Sequence, residues 1–144
     1  VKLLDKMCGY TGAVIDCGDF TETDKELQAV EQNMDLHATP ELPYNWMYQG
    51  KEVKGANTPF VMDIECTALL MIMKDSASNS VGCAEVFVDG EKVLLANPHI
   101  NGWTHCNPLI CFRGRKRKKY HVEVRMQPGD EEKDFTILGW GYVE

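Results

Sequence analysis

Through much of the chain apolar residues recur at every second position, the period of strands that bury one face. Residues 58–66 (TPFVMDIEC) put Phe60, Met62 and Ile64 on one side. Residues 68–73 are apolar without interruption, which predicts a strand buried on both faces. The runs 82–88 and 92–95 flank Asp89-Gly90. That dipeptide predicts a two-residue hairpin, because a type I′ turn needs positive φ at both central positions. Residues 108–112, 120–126 and 135–143 supply further strands, separated by turn-rich stretches such as QPGDEEKD.

The first forty residues differ. Residues 12–16 (GAVID) form a short strand candidate, and 23–34 (TDKELQAVEQNM) predict a short helix. Its Thr23-x-x-Glu26 spacing suits a capping box, and Leu27, Val30 and Met34 share one face. An extended acidic loop is the alternative, because that apolar stripe is thin. The pattern therefore predicts an all-β chain, an antiparallel β-sandwich of about eight strands with one short N-terminal helix. An α/β fold would need helices between the strands. Residues 1–144 are expected to form one domain, with 1–40 less regular and 41–144 making the sandwich.

Composition narrows the function classes. The 144 residues, 44% hydrophobic and 26% charged, suit one globular core. No apolar run reaches the roughly 20 residues of a membrane span, and VKLLDKMCGY lacks the apolar core of a signal peptide. No membrane association is expected. With no targeting segment legible, secreted and cytoplasmic locations both stay open. A start at Val1 is what a processed chain or an excised segment would show. The net charge of −7 and pI near 5.1 argue against nucleic acid as a partner. The basic run Arg113, Arg115, Lys116, Arg117, Lys118 and Lys119 lies between two strand-like segments and reads as a solvated hairpin tip. Of the six cysteines, Cys66 and Cys83 sit among apolar neighbours. The set reads as mostly reduced, since the core is large enough without disulfides.

Catalytic chemistry finds little support. Ser76, Ser78 and Ser80 are the three serines, all in the loop KDSASNS with no Gly-x-Ser-x-Gly elbow, so they read as a connection. Asp130, Glu131, Glu132 and Asp134 follow Pro128-Gly129 as a solvated acidic turn. Oxygen-rich turns bind calcium, but the D-x-D-x-D-G spacing is absent, and no cofactor is expected. His99, His105 and Cys106, with Cys111 as a remote fourth ligand, match no zinc spacing, so no metal is assigned to them.

The chemistry concentrates in residues 97–107, NPHINGWTHCN. Sugars are held by an aromatic face against their C–H side and by amides or imidazoles on their hydroxyls. Trp103 offers the first; His99, Asn101, His105 and Asn107 offer the second. The competing reading folds Trp103 back as a cap on the core. Tyr44, Trp46 and Tyr48 form a second aromatic set at two-residue spacing. Trp46 reads as core, with Tyr44 and Tyr48 as candidate ligand contacts. Trp140, alternating with Leu138 and Tyr142, reads as structural.

Residues 40–144, with PYNWMY, GCAEVFVDGEKV, NGWTHCNP and HVEVRMQPGDEEKDFTILGWGY in that order, resemble the β-sandwich accessory domain of SGNH/GDSL-type carbohydrate esterases from gut and rumen bacteria. The resemblance implies a jelly-roll sandwich similar to carbohydrate-binding modules, with the catalytic triad on a covalently linked SGNH domain. The SGNH nucleophile block and the late Asp-x-x-His block do not occur in this chain. The resemblance thus implies a non-catalytic module binding plant or microbial polysaccharide or oligosaccharide. The alternative is a structural domain that packs on an SGNH esterase domain and completes its cleft without binding sugar itself.

Overall fold

Where the sequence alternates, the chain is extended. A computed structural model describes residues 2–4, 13–24, 44–100 and 106–144. It contains β1 (Lys2–Leu4), β2 (Val14–Asp16), β3 (Trp46–Gln49), β4 (Phe60–Cys66), β5 (Ala68–Lys74), β6 (Ala84–Val88), β7 (Glu91–Ala96), β8 (Cys106–Phe112), β9 (Lys118–Met126) and β10 (Asp134–Val143). The helix expected over 23–34 falls, from residue 25 onward, outside the described residues. β1 is a strand that the sequence pattern did not mark.

The strands form two five-stranded antiparallel sheets. The first runs β1-β10-β5-β8, with β3 also on β10; the second runs β2-β4-β9-β6-β7. They pack face to face as a jelly-roll-type sandwich. Phe60, Met62 and Ile64 of β4, with Val122, Val124 and Met126 of β9, meet Leu69, Met71 and Met73 of β5, all buried in one cluster. Phe60 of the second sheet stacks on Trp140 of the first, centroids 5.8 Å apart and planes 22° apart. Each such fully buried side chain contributes roughly 1.5–3 kcal/mol relative to exposure. The Asp89-Gly90 hairpin forms as expected, with φ of 50° and 83° joining β6 to β7.

Two expectations need correction. β5 is not buried on both faces: Leu69, Met71 and Met73 point into the core, whereas Ala68, Leu70 and Ile72 are only half-buried on the outer face. The basic run is not a hairpin tip, since β8 pairs with β5 and β9 with β4 and β6. It crosses between the sheets, held where the Arg115 amide donates to the Thr67 carbonyl at 3.0 Å. Its side chains are exposed; Lys118 pairs with Asp89 at 2.9 Å and Arg117 with Glu65 at 3.4 Å. Cys17, Cys66, Cys83 and Cys111 are free thiols. Burial pushes the Cys66 thiol up to about 11 and the Cys111 thiol up to about 12, so both act as apolar filler.

Candidate functional site

At one end of the sandwich three connections converge: residues 75–83 after β5, 97–100 after β7 and 127–133 before β10. Backbone bonds tie them together. The Ser76 amide donates to the Pro98 carbonyl at 2.9 Å, Gly82 to Asp134 at 3.0 Å, and Asp134 to Ser80 at 2.8 Å.

His99 clips the first two connections. Its Nδ1 lies 2.9 Å from the Ser76 carbonyl oxygen and its Nε2 2.8 Å from that of Val81. The ring therefore faces main-chain oxygens and not a serine hydroxyl, an arrangement that orders a loop and does not activate a nucleophile. Asn107, at the start of β8, donates from Nδ2 to the fully buried Asp75 at 3.3 Å. Residues 97–107 are thus anchored at both ends. Asn101, Trp103 and His105, the middle of the predicted sugar loop, lie outside the described residues.

Beside this loop is a cavity of about 230 Å³, lined among the described residues by Asp24, Lys74, Ser76, Ser78, Ser80, Asp134 and Thr136 together with Met47, Val81 and Phe135. Its floor is a buried polar cluster. The Asp24 carboxylate accepts from Lys74 Nζ at 2.9 Å and from Thr136 Oγ1 at 2.8 Å. Asn45 braces the Asp24 backbone, accepting from its amide at 2.8 Å and donating to its carbonyl at 3.0 Å. Lys74 and Asp24 expose 8% and 5% of their side chains, so each charge depends on the other for solvation. Sequence reasoning missed this cluster. Asp24 and Lys74 are 50 positions apart, and only the fold brings them together.

The two tyrosines part company. Tyr44 is 43% exposed, before the start of β3, and remains available to a ligand. Tyr48 is fully buried, and its hydroxyl donates to the Glu131 carbonyl, so it braces the acidic turn and is not the surface contact expected. Trp46, as expected, is core.

The acidic turn is occupied by its own backbone. Asp130 Oδ2 accepts from the Cys83 amide at 2.9 Å and Gln127 Nε2 at 2.7 Å. Partial burial works to raise that carboxyl, but these bonds and Lys133 outweigh it and hold it below the usual range. Glu131 accepts from the Gly129 amide at 2.6 Å. Burial pushes the Asp134 carboxyl up, against a bond from the Gly50 amide. Among the described residues no cluster of three or more His, Cys, Asp or Glu side chains is placed to hold a metal.

No family profile and no curated protein matches the chain. Solved structures do. A two-domain esterase (CEX) active on acetylated mannans, co-crystallised with mannopentaose, superposes with a TM-score of 0.62 at 16% identity over 90% of this chain. This chain spans about a third of that esterase's length, 34%. A family 35 carbohydrate-binding module from an environmental isolate gives a TM-score of 0.62 at 12% identity, covering 100% of this chain and 93% of that one. The CBM35 from Cellvibrio japonicus Abf62 gives 0.51 at 12% identity, covering 99% and 97%. The fold is therefore that of a carbohydrate-binding-module-like sandwich. Among the described residues no helix is long and apolar enough to cross a membrane.

Proposed function

We propose that this domain binds a plant or microbial polysaccharide as the non-catalytic accessory module of a carbohydrate esterase. The observation that carries the reading is the loop 97–107, anchored at both ends beside a hydroxyl-lined cavity. In this reading Trp103 stacks on a sugar ring while Asn101, His105 and Asn107 hold hydroxyls, with Tyr44 at the margin; His99, expected from the sequence as a further contact, has both ring nitrogens on main-chain oxygens and fixes the loop instead. Fold neighbours that are carbohydrate-binding modules, or part of a two-domain esterase active on acetylated mannans, support the ligand class and a linked esterase domain.

A second reading has one observation in its favour. At the opposite end of the first sheet Ala68, Leu70, Ile110, Arg113 and Val143 line an apolar groove of about 110 Å³, with Ile110 58% and Val143 40% exposed. Such a face suits packing against an SGNH esterase domain, with the sandwich completing that domain's cleft.

Calorimetry of the isolated chain against xylans, mannans, glucans and pectins separates the two. The accessory-module reading expects saturable binding that Trp103→Ala weakens by about 1–3 kcal/mol, by analogy with base stacking, while thermal melts stay unchanged. A folded chain that binds none of these glycans overturns it and leaves the cleft-completing domain.

A further inference from the structure

The 230 Å³ cavity does not end at its own rim. A second, wider depression of about 530 Å³ adjoins it, lined among the described residues by Lys51, Asn79, Ser80, Glu132, Lys133 and Asp134. Ser80 and Asp134 belong to both. Their backbones are bonded, Asp134 amide to Ser80 carbonyl at 2.8 Å, so the shared wall is fixed. The smaller cavity alone falls below the roughly 300 Å³ at which ligand pockets begin, whereas the two together lie within the usual range.

We propose that these depressions form one groove that takes an uncharged oligosaccharide of more than one residue. The inference rests on the glycan-binding reading above and specifies its ligand. Charge on the walls is balanced: Lys51, Lys74 and Lys133 stand against Asp24, Glu132 and Asp134. Lys74 is neutralised by Asp24 at 2.9 Å, and Lys133 lies 3.7 Å from Asp130. A uronate would meet the carboxylates of Asp134 and Glu132. What the groove offers instead is neutral and amphoteric: the hydroxyls of Ser76, Ser78 and Ser80 and the amide of Asn79, each both donor and acceptor. Ser78 and Ser80 bond each other through their Oγ atoms at 2.8 Å, a pair that a sugar hydroxyl joins without stranding a charge. The wall from Ser76 to Val81 is also the one His99 clips, so the groove runs on from the anchored loop.

The experiment is calorimetry of the full chain with size-graded mannan, xylan and glucan oligosaccharides, from one to six residues, and with uronate-bearing oligosaccharides of matched length. Ser80→Tyr serves as the blocking variant, since Ser80 is exposed and its backbone bonds do not depend on its side chain. Affinity is expected to rise about tenfold or more from mono- to trisaccharide and then level, with uronate oligomers binding about tenfold more weakly. Ser80→Tyr should abolish the gain with length while its melting temperature stays unchanged. Trp103-dependent binding with no gain in length, a preference for uronates, or indifference to Ser80→Tyr overturns the groove and leaves the accessory-module reading standing. No binding to any glycan overturns both.

Discussion

Trp140 separates a structural aromatic from a binding one. It is fully buried, stacks on Phe60 and, among the described residues, finds no acceptor for its indole Nε1. Nothing on its rim is left for a ligand. Trp140→Ala should therefore open a cavity across both sheets and cost about 3–5 kcal/mol in denaturant unfolding. A loss under about 1 kcal/mol, the scale of a surface change, would show that the two sheets do not depend on this contact. The residue's role was legible from its alternation with Tyr142, but Leu138 was placed wrongly in the same series. A bulge between Ile137 and Gly139 turns Leu138 into a separate cluster with Ile72 and Cys106. Bulges insert one residue without a sequence mark, so a period of two cannot announce them. The same limit hid Tyr48, because a strand's inner and outer faces share one spacing.

At the scale of elements, cross-strand pairs fix how β4 lies on β9. Asp63 and His121 are register partners, and His121 Nδ1 sits 2.8 Å from Asp63 Oδ1 while its Nε2 sits 3.2 Å from Glu123 Oε1. The Asp63 bond first, then Glu123, raises the imidazole above its ordinary value of 6.5. A raised folded value means that the pair stabilises fully below pH about 6.5 and that this contribution disappears as pH rises through the folded value. The side chain is 46% exposed, so the effect is small and best read locally. NMR titration should give a His121 midpoint above 6.5, moving down in Asp63→Asn; an identical midpoint in the variant would remove Asp63 as the cause. Strand existence was legible wherever local alternation or the Asp89-Gly90 turn carried it. Sheet membership was not, as the connection 113–117 shows: two strands adjacent in sequence belong to opposite sheets, and no local residue encodes that.

For the whole molecule, the first sheet has two unlike ends. Ala68 borders the apolar groove and Lys74 the polar one, six residues apart on β5, or about 20 Å at strand rise. Loop 97–107 was legible as a candidate site because its chemistry lies within one stretch of sequence. The Asp24–Lys74–Thr136 floor was not, because its members come from three distant segments. The same non-local wiring bears on how the chain is made. β10 follows every other strand, yet β1, β3 and β5 all bond to it. A ribosome releasing the chain in order thus presents the complete second sheet while β5, with the sequence ALLMIMK, still lacks its central neighbour. Until then an apolar strand edge stands open, the condition under which nascent chains recruit chaperones or aggregate. Nascent chains stalled after residue 126 should stay protease-sensitive, and protection should appear only once residue 143 clears the exit tunnel. Protection of the shorter chains would mean that the second sheet folds without its partner.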